Sequence, residues 1–80
     1  MEINLLAFGI AKEIFNGDLL KISLPERSSV IDLRKNLEQQ FPAIKNVATY
    51  MVAVNNEYAA NDLILHVNDE IAIIPPVSGG

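Results

Sequence analysis

Several residue types and patterns are missing from this sequence, and each absence narrows the possible functions. There is no cysteine, so the chain can form neither a disulfide framework nor a thiolate metal site, and any sulfur chemistry must use another group. No apolar run approaches the roughly 18 residues of a membrane span. The six Lys and Arg residues are scattered along a chain of net charge −4, whereas phosphate binding needs clustered bases. We therefore expect neither a membrane nor a nucleic-acid partner.

The beginning of the chain lacks the features of a targeting segment. "MEINLLAFGIAKEIF" has no basic region and places Glu2 and Asn4 early, which favours a cytoplasmic protein. Half of the 80 residues are apolar and one fifth are charged, which is the composition of one small globular domain. The acidity suits a basic partner surface, or serves only solubility.

Apolar runs and turn residues predict the order of the secondary-structure elements. Strands are expected over residues 3–8 and 19–24, joined by a loop containing Gly9, Asn16, Gly17 and Asp18. A helix should follow, capped by Ser29 with Asp32 three positions on, and should end near Phe41 because Pro42 disfavours helical geometry before it. Further strands are expected over residues 48–55 and 70–74, with a short piece at 63–65. The helix should bury a stripe of four residues, namely Val30, Leu33, Leu37 and Phe41.

This order predicts an α+β fold, and among such folds a β-grasp: a mixed sheet of about four to five strands with one main helix on one face. The first and last strands of that fold lie parallel at the centre of the sheet, which fits two runs that are apolar on both faces. We expect residues 1–75 to form the domain and residues 76–80 to form an extended tail.

A single helix leaves the second face of the sheet open. Alternation places Leu6, Phe8 and Ile74 on that face, opposite the residues that contact the helix. The result is either an exposed apolar patch of the kind that marks a partner surface, or a patch covered by loops and long side chains.

The last six residues form a distinct segment. Its members are Pro75, Pro76, Val77, Ser78, Gly79 and Gly80. The prolines cannot donate to a sheet ladder and fix φ near −65°, so they end the strand as a stiff, extended elbow. From Pro76 the tail reaches roughly 13 Å, at about 3.3 Å per residue. Its two glycines lack Cβ atoms, so the tip can enter a narrow channel in another protein.

The carboxylate at this tip is a poor electrophile until it is activated. Reaction with ATP would give an acyl adenylate with a good leaving group. A sulfur nucleophile could then displace AMP to leave a thiocarboxylate, or a lysine amine could displace it to form an isopeptide. A Gly-Gly tail therefore suits either sulfur transport or protein conjugation.

Three segments of the sequence resemble one known family. "DEIAIIPPVSGG" resembles the terminal signature of the small subunits of molybdopterin synthase, which are ubiquitin-like sulfur carriers. "AFGIAKEIF" is similar to their first strand and following segment at Phe8, Lys12 and Glu13, and "VAVNNE" is similar to their turn at Val54 and Asn55. The family often has aromatic residues in the last strand, where this chain has consecutive isoleucines.

The resemblance implies a role for each part of the tail and of the open face. Gly80 would be adenylated and converted to a thiocarboxylate, while the tail inserts into the large catalytic subunit. Phe8, Tyr58 and Ile74 would contact that partner, and Lys12 matches a basic family position, although an ordinary solvated lysine would also explain it. The small subunit is then a sulfur donor rather than the catalytic subunit.

The same resemblance implies the partners. An E1-like adenylyltransferase would consume ATP, a sulfur donor protein would supply sulfur, and two small and two large subunits would assemble as a heterotetramer. Neither a permanently bound cofactor nor a metal is expected. The reaction would deliver two sulfurs, one per carrier molecule, to cyclic pyranopterin monophosphate.

Other functions remain open from the sequence alone. The fold and tail also suit a sulfur carrier for thiamin thiazole synthesis, a ubiquitin-like modifier joined through Gly80, or a passive binding module. His66 is expected at the surface or in packing rather than in catalysis. Asp69 and Glu70 are adjacent before a strand, so turn or partner-contact roles are favoured over acid catalysis.

Overall fold

The computed structural model describes residues 1–47 and 50–76. Its elements are β1 (Glu2–Ala7), α1 (Ile10–Phe15), β2 (Leu19–Ser23), α2 (Val30–Gln40), a 3₁₀ helix (Pro42–Asn46), β3 (Met51–Val54), β4 (Glu57–Tyr58) and β5 (Ile71–Ile74). The five strands form one mixed sheet in the order β2-β1-β5-β3-β4. β5 runs parallel to β1 and antiparallel to β3. The predicted α+β fold, with the first and last strands parallel at its centre, is confirmed.

Helix α2 begins and ends where the sequence predicts. The Asp32 carboxylate accepts hydrogen bonds from the Ser29 backbone N–H at 2.9 Å and from the Ser29 hydroxyl at 3.1 Å, which satisfies polar groups at the first turn. These bonds hold the pKa of the Asp32 carboxyl below its ordinary value. The predicted apolar stripe packs on the sheet, with three members buried and Phe41 half-buried; the three are Val30, Leu33 and Leu37.

The turn residues predicted a loop between β1 and β2. The structure instead has a short helix, α1, within this connection. Ala11 and Phe15 lie four residues apart on one face of this helix and are buried in the core. Asn16 ends the helix with φ of 62°. The helix is too short for a convincing apolar period, and the surrounding turn residues conceal it.

The segment after β4 also differs from the sequence prediction. Residues 63–65 do not form a strand; Ile64 makes only an isolated bridge with Ser29. Instead, the carbonyl oxygen of Leu63 accepts the Val30 N–H at 3.0 Å, and that of Asn61 accepts the Ile31 N–H at 2.9 Å. This segment therefore satisfies N–H groups that the first turn of α2 cannot pair internally.

Strand β4 was missed because it has only two residues. It follows a turn in which Asn55 and Asn56 both have positive φ, at 53° and 70°, the geometry of a two-residue hairpin turn. Strand β3 begins at Met51 rather than at residue 48, and residues 48–49 lie outside the described ranges.

Tyr50, which directly precedes β3, connects this segment to α2 through contacts with two residues of the helix. Its hydroxyl donates to Glu38 Oε2 at 2.8 Å, and the Arg34 guanidinium carbon lies 4.6 Å from the centre of its ring. Arg34 Nη1 also donates to the Tyr50 carbonyl oxygen at 3.3 Å. Burial, together with the hydrogen bond to Glu38, raises the pKa of Tyr50 to about 12. These contacts lie on the helix-covered side, away from the open face.

Candidate functional site

The tail continues directly from β5, the central strand of the sheet. Val52 pairs with Ile73 on one side of β5, and Ala7 pairs with it on the other. Both Ile71 and Ile73 are fully buried against the helix side. Because ladders on both edges fix the register of β5, the start of the tail is fixed as well.

The first residue of the proline elbow rests on the junction between β1 and α1. Phe8 N–H donates to the Ile73 carbonyl oxygen at 3.3 Å, which ties this junction to β5. Gly9 has φ of +56°, and a Cβ built there would lie 3.2 Å from Pro75 Cγ. A glycine therefore permits both the backbone conformation and the close approach. Pro75 is half-buried, whereas Pro76 is exposed.

A row of paired residues crosses the open face of the sheet. Register places side by side, in order, Leu19, Leu6, Ala72, Ala53 and Tyr58. The two alanines are short, while Leu6 and Tyr58 remain 36% and 67% exposed. The row thus rises on both sides of a low centre, which forms a concave pocket of about 340 Å³.

The two ends of this open-face pocket differ in chemistry. Phe8 and Ile74 lie at the end beside the proline elbow, whereas Asn56 and Glu70 lie at the opposite end. Phe8 is 48% exposed. The pocket therefore runs from an apolar end at the tail to an acidic end at the start of β5.

The structure brings three predicted contact residues into this one pocket. Phe8, Tyr58 and Ile74 all line it, and the expected patch of Leu6, Phe8 and Ile74 is open among the described residues. Lys12 is exposed on α1 and does not line the pocket. The tail residues Val77, Ser78, Gly79 and Gly80 lie outside the described ranges.

Asp69 and Glu70 have separate roles, although they are adjacent in sequence. Asp69 accepts the Asn55 side-chain amide at 3.0 Å and the His66 backbone N–H at 2.7 Å. The N–H of Glu70 donates to Asn55 Oδ1 at 2.9 Å, while its side chain lines the open-face pocket. Asp69 therefore holds the turn before β5, and the Glu70 carboxylate faces outward.

Neither the alanines at the centre of the pocket, Ala53 and Ala72, nor Gly9, which contacts the proline elbow, were predicted from the sequence to have these roles. Strand alternation, which predicts Ile74 on the open face, places Ala72 and Glu70 there as well, because the three are two residues apart. The approach of Gly9 to Pro75 joins distant parts of the chain, so no local pattern could have revealed it.

No other chemical centre is evident in the described part of the chain. His66 is exposed. Across residues 1–47 and 50–76, no three His, Asp or Glu side chains come together as a metal site would require. The helices within these ranges are too short or too polar to cross a bilayer. The open-face pocket and the base of the tail are therefore the candidate site.

Two known relatives are similar to this sequence over nearly its whole length. The molybdopterin synthase sulfur carrier subunit of Dictyostelium discoideum is 39% identical over 83 residues, covering 99% of this chain and 96% of the relative. The protein of the same name from Arabidopsis thaliana is 36% identical, covering 100% of this chain and 84% of the relative. These relatives confirm the resemblance read from the sequence.

Solved structures share the fold. A putative molybdopterin converting factor subunit 1 from Pyrococcus furiosus superposes with a TM-score of 0.87 at 24% identity, covering 96% of this chain and 99% of that one. A chain from the complex of subunits 1 and 2 of the molybdopterin-converting factor of Helicobacter pylori gives a TM-score of 0.69 at 21% identity, covering 100% of both. The architecture and the strand that carries the tail thus define a ubiquitin-like β-grasp protein.

The family model described as the ThiS family matches residues 5–80. This chain belongs to the ThiS family.

Proposed function

We propose that this protein is the sulfur carrier subunit of a molybdopterin synthase. The observation that carries the proposal is the position of β5: the strand that precedes the Gly-Gly tail lies at the centre of the sheet, and its outer side lines an exposed pocket. A partner can therefore bind the folded domain and receive the tail at the same time. The two relatives that match nearly the whole chain both carry the name molybdopterin synthase sulfur carrier subunit, which supports this proposal.

The proposed chemistry takes place on Gly80. Its carboxylate attacks the α-phosphorus of ATP, pyrophosphate leaves, and a glycyl adenylate forms. Hydrosulfide, or an equivalent from a sulfur donor protein, then displaces AMP to give the thiocarboxylate. The thiocarboxylate sulfur then attacks a carbon of cyclic pyranopterin monophosphate, displaces an oxygen substituent and forms a thioester with Gly80. Water hydrolyses that thioester, which leaves the sulfur on the pterin as a thiol and returns Gly80 to the carboxylate, ready for another cycle.

The proposed partners are an E1-like adenylyltransferase, which consumes the ATP, and a large catalytic subunit, which binds the pterin. The structure from Helicobacter pylori is a complex of subunits 1 and 2, which supports a large-subunit partner here. Two copies of each subunit would form a heterotetramer. Phe8, Tyr58 and Ile74 would supply apolar contact area, because they border the pocket beside the tail. Lys12, exposed on α1, is a further proposed contact.

Intact mass spectrometry tests the terminal chemistry directly. The carrier is incubated with its activating enzyme, ATP and sulfide, and the expected product has one oxygen replaced by sulfur on the terminal residue. Omission of ATP should abolish the exchange. A variant without Gly80 should fold normally, as judged by circular dichroism, yet show no exchange. A second carrier of known activity serves as the positive control for the activating enzyme. The proposal is wrong if the enzyme modifies that control but leaves the wild-type protein unmodified.

Complementation tests the pathway separately. The gene should restore molybdoenzyme activity to a strain that lacks its own molybdopterin synthase small subunit. Restoration of a thiazole-requiring strain instead would transfer the assignment to thiamin synthesis. Lysine-linked branches that carry the C-terminal segment of this chain, found in digests of cell protein and dependent on Gly80, would reveal a protein modifier.

A further inference from the structure

The acidic end of the open-face pocket contains an unneutralised carboxylate. Glu70 is exposed and lines the pocket, and among the described residues no cationic side chain is within salt-bridge distance of it. A second depression of about 370 Å³ adjoins the first and shares Leu6 and Glu70 with it. Neither depression is lined by a lysine or an arginine. Both depressions therefore carry negative charge with no positive side chain in their linings.

The side chain that fits this pocket must be both long and positively charged. Its stem would pass over the low Ala53–Ala72 pair, and its head would meet Glu70. Tyr58 borders the same pocket with its side chain largely exposed. An arginine suits these neighbours best, because its planar guanidinium binds a carboxylate through two hydrogen bonds and also stacks on an aromatic ring.

We propose that the open-face pocket is the receptor for an arginine side chain of the large subunit, with Glu70 as its counterion. This inference rests on the proposed function, because it names the partner that receives the tail. It adds a specific recognition site at the end of β5 remote from the tail.

The distance between Glu70 and the proline elbow explains how this contact could orient the partner. Glu70 and Pro75 are separated by about 16 Å along the strand, at about 3.3 Å per residue. An apolar patch resists rotation of the partner poorly, since hydrophobic contact is not directional. An ion pair at the far end of the pocket supplies a second fixed point, so the large subunit is oriented before the tail enters it.

The test compares two single-charge substitutions on adjacent parts of the sheet. Glu70→Gln removes the charge from the pocket and preserves the backbone N–H that bonds to Asn55. Glu57→Gln is the matched control, because it changes the net charge by the same amount. Glu57 pairs with buried Val54, so it lies on the helix-covered side of the sheet and not in the pocket. Both variants should unfold at the wild-type temperature, because both carboxylates are exposed.

Binding to the purified large subunit of the same organism should separate the two variants. We expect Glu70→Gln to raise Kd about tenfold at low salt, with a smaller effect at high salt, as for a partly buried charge pair. Glu57→Gln should change Kd less than twofold. Ala72→Leu, which fills the pocket and keeps Glu70, should also weaken binding.

Two further substitutions test charge complementarity. Glu70→Arg should bind poorly, and an arginine-to-glutamate substitution in the contacting surface of the large subunit should restore its affinity. The proposal is overturned if Glu70→Gln and Glu57→Gln behave alike, if Glu70→Gln weakens binding only to the activating enzyme, or if wild-type carrier does not bind the large subunit. The sulfur exchange on Gly80 is measured without the large subunit. A failure of the arginine proposal would therefore not change the outcome of that assay, which tests the proposed function.

Discussion

Neighbouring isoleucines in β5 should separate the stability of the domain from its ability to bind a partner. Ile73 is fully buried beneath α2, whereas Ile74 is half-buried and lines the open-face pocket. The same truncation to alanine at each position removes the same atoms from opposite faces of one strand. Any difference between the two variants therefore reports the environment and not the substitution.

The buried truncation should be severe for a domain of this size. Ile73→Ala forfeits about 2.4 kcal/mol of transfer free energy, at about 0.8 kcal/mol per carbon, and the cavity raises the loss to about 3–4 kcal/mol. Ile74→Ala leaves no closed cavity and loses roughly half of the transfer energy, about 1 kcal/mol. The free energy of unfolding of a domain of 80 residues is about 4–12 kcal/mol. Ile73→Ala therefore consumes a large fraction of it.

Urea denaturation followed by circular dichroism measures both losses. With a slope of about 1 kcal/mol per molar urea, the midpoint should fall by about 3 M for Ile73→Ala and by about 1 M for Ile74→Ala. Binding of the large subunit, measured where both variants are folded, should show the reverse order. Equal shifts in midpoint, or normal binding by Ile74→Ala, would refute the assignment of the two faces.

Three further changes test contacts outside the pocket, each by urea denaturation across pH. Tyr50→Phe should lose about 1 kcal/mol with the hydrogen bond to Glu38. It should also lack a wild-type loss of stability at high pH: the folded-state pKa is raised to about 12, so this contribution is complete below pH 10 and disappears as pH rises through 12. Asp32→Asn should weaken the α2 cap. It should also reduce the fall in the free energy of unfolding at acid pH, because a lowered carboxyl pKa contributes stability that is lost as pH falls through it. Asn55→Ala should cost about 0.5–1.5 kcal/mol, because it removes two exposed hydrogen bonds at the turn before β5 that water replaces only in part.

Elements with long or repeated local signals could be predicted from the sequence. Helix α2 combines a capping residue, an apolar stripe and a following proline, so both of its ends were identified. The central position of β1 and β5 followed from runs that are apolar on both faces, and alternation correctly placed Phe8 and Ile74 outward. The assignment of chemistry to Gly80 also rests on a local signal, the proline and glycine order of the tail, and it stays a prediction because residues 77–80 lie outside the described ranges.

Features that depend on contacts between distant segments could not be predicted in the same way. Strand β4 exists because its two residues pair with β3, and α1 exists because Ala11 and Phe15 reach the core. The segment near Leu63 has the composition of a strand, yet it caps α2. The pocket itself depends on the register that brings Ala53 and Ala72 together.

The register of β5 connects the stability of this domain with its proposed function. A slip of one residue would turn Ile71 and Ile73 outward and Ala72 inward, which would remove isoleucine side chains from the core and fill the low centre of the pocket together. Ladders to β1 and β3 oppose such a slip from both edges, and the Asn55 bonds oppose it at the start of the strand. An edge strand would have only one ladder. Placing the tail after the central strand therefore fixes the distance from Glu70 to the elbow, which a partner that binds both must match.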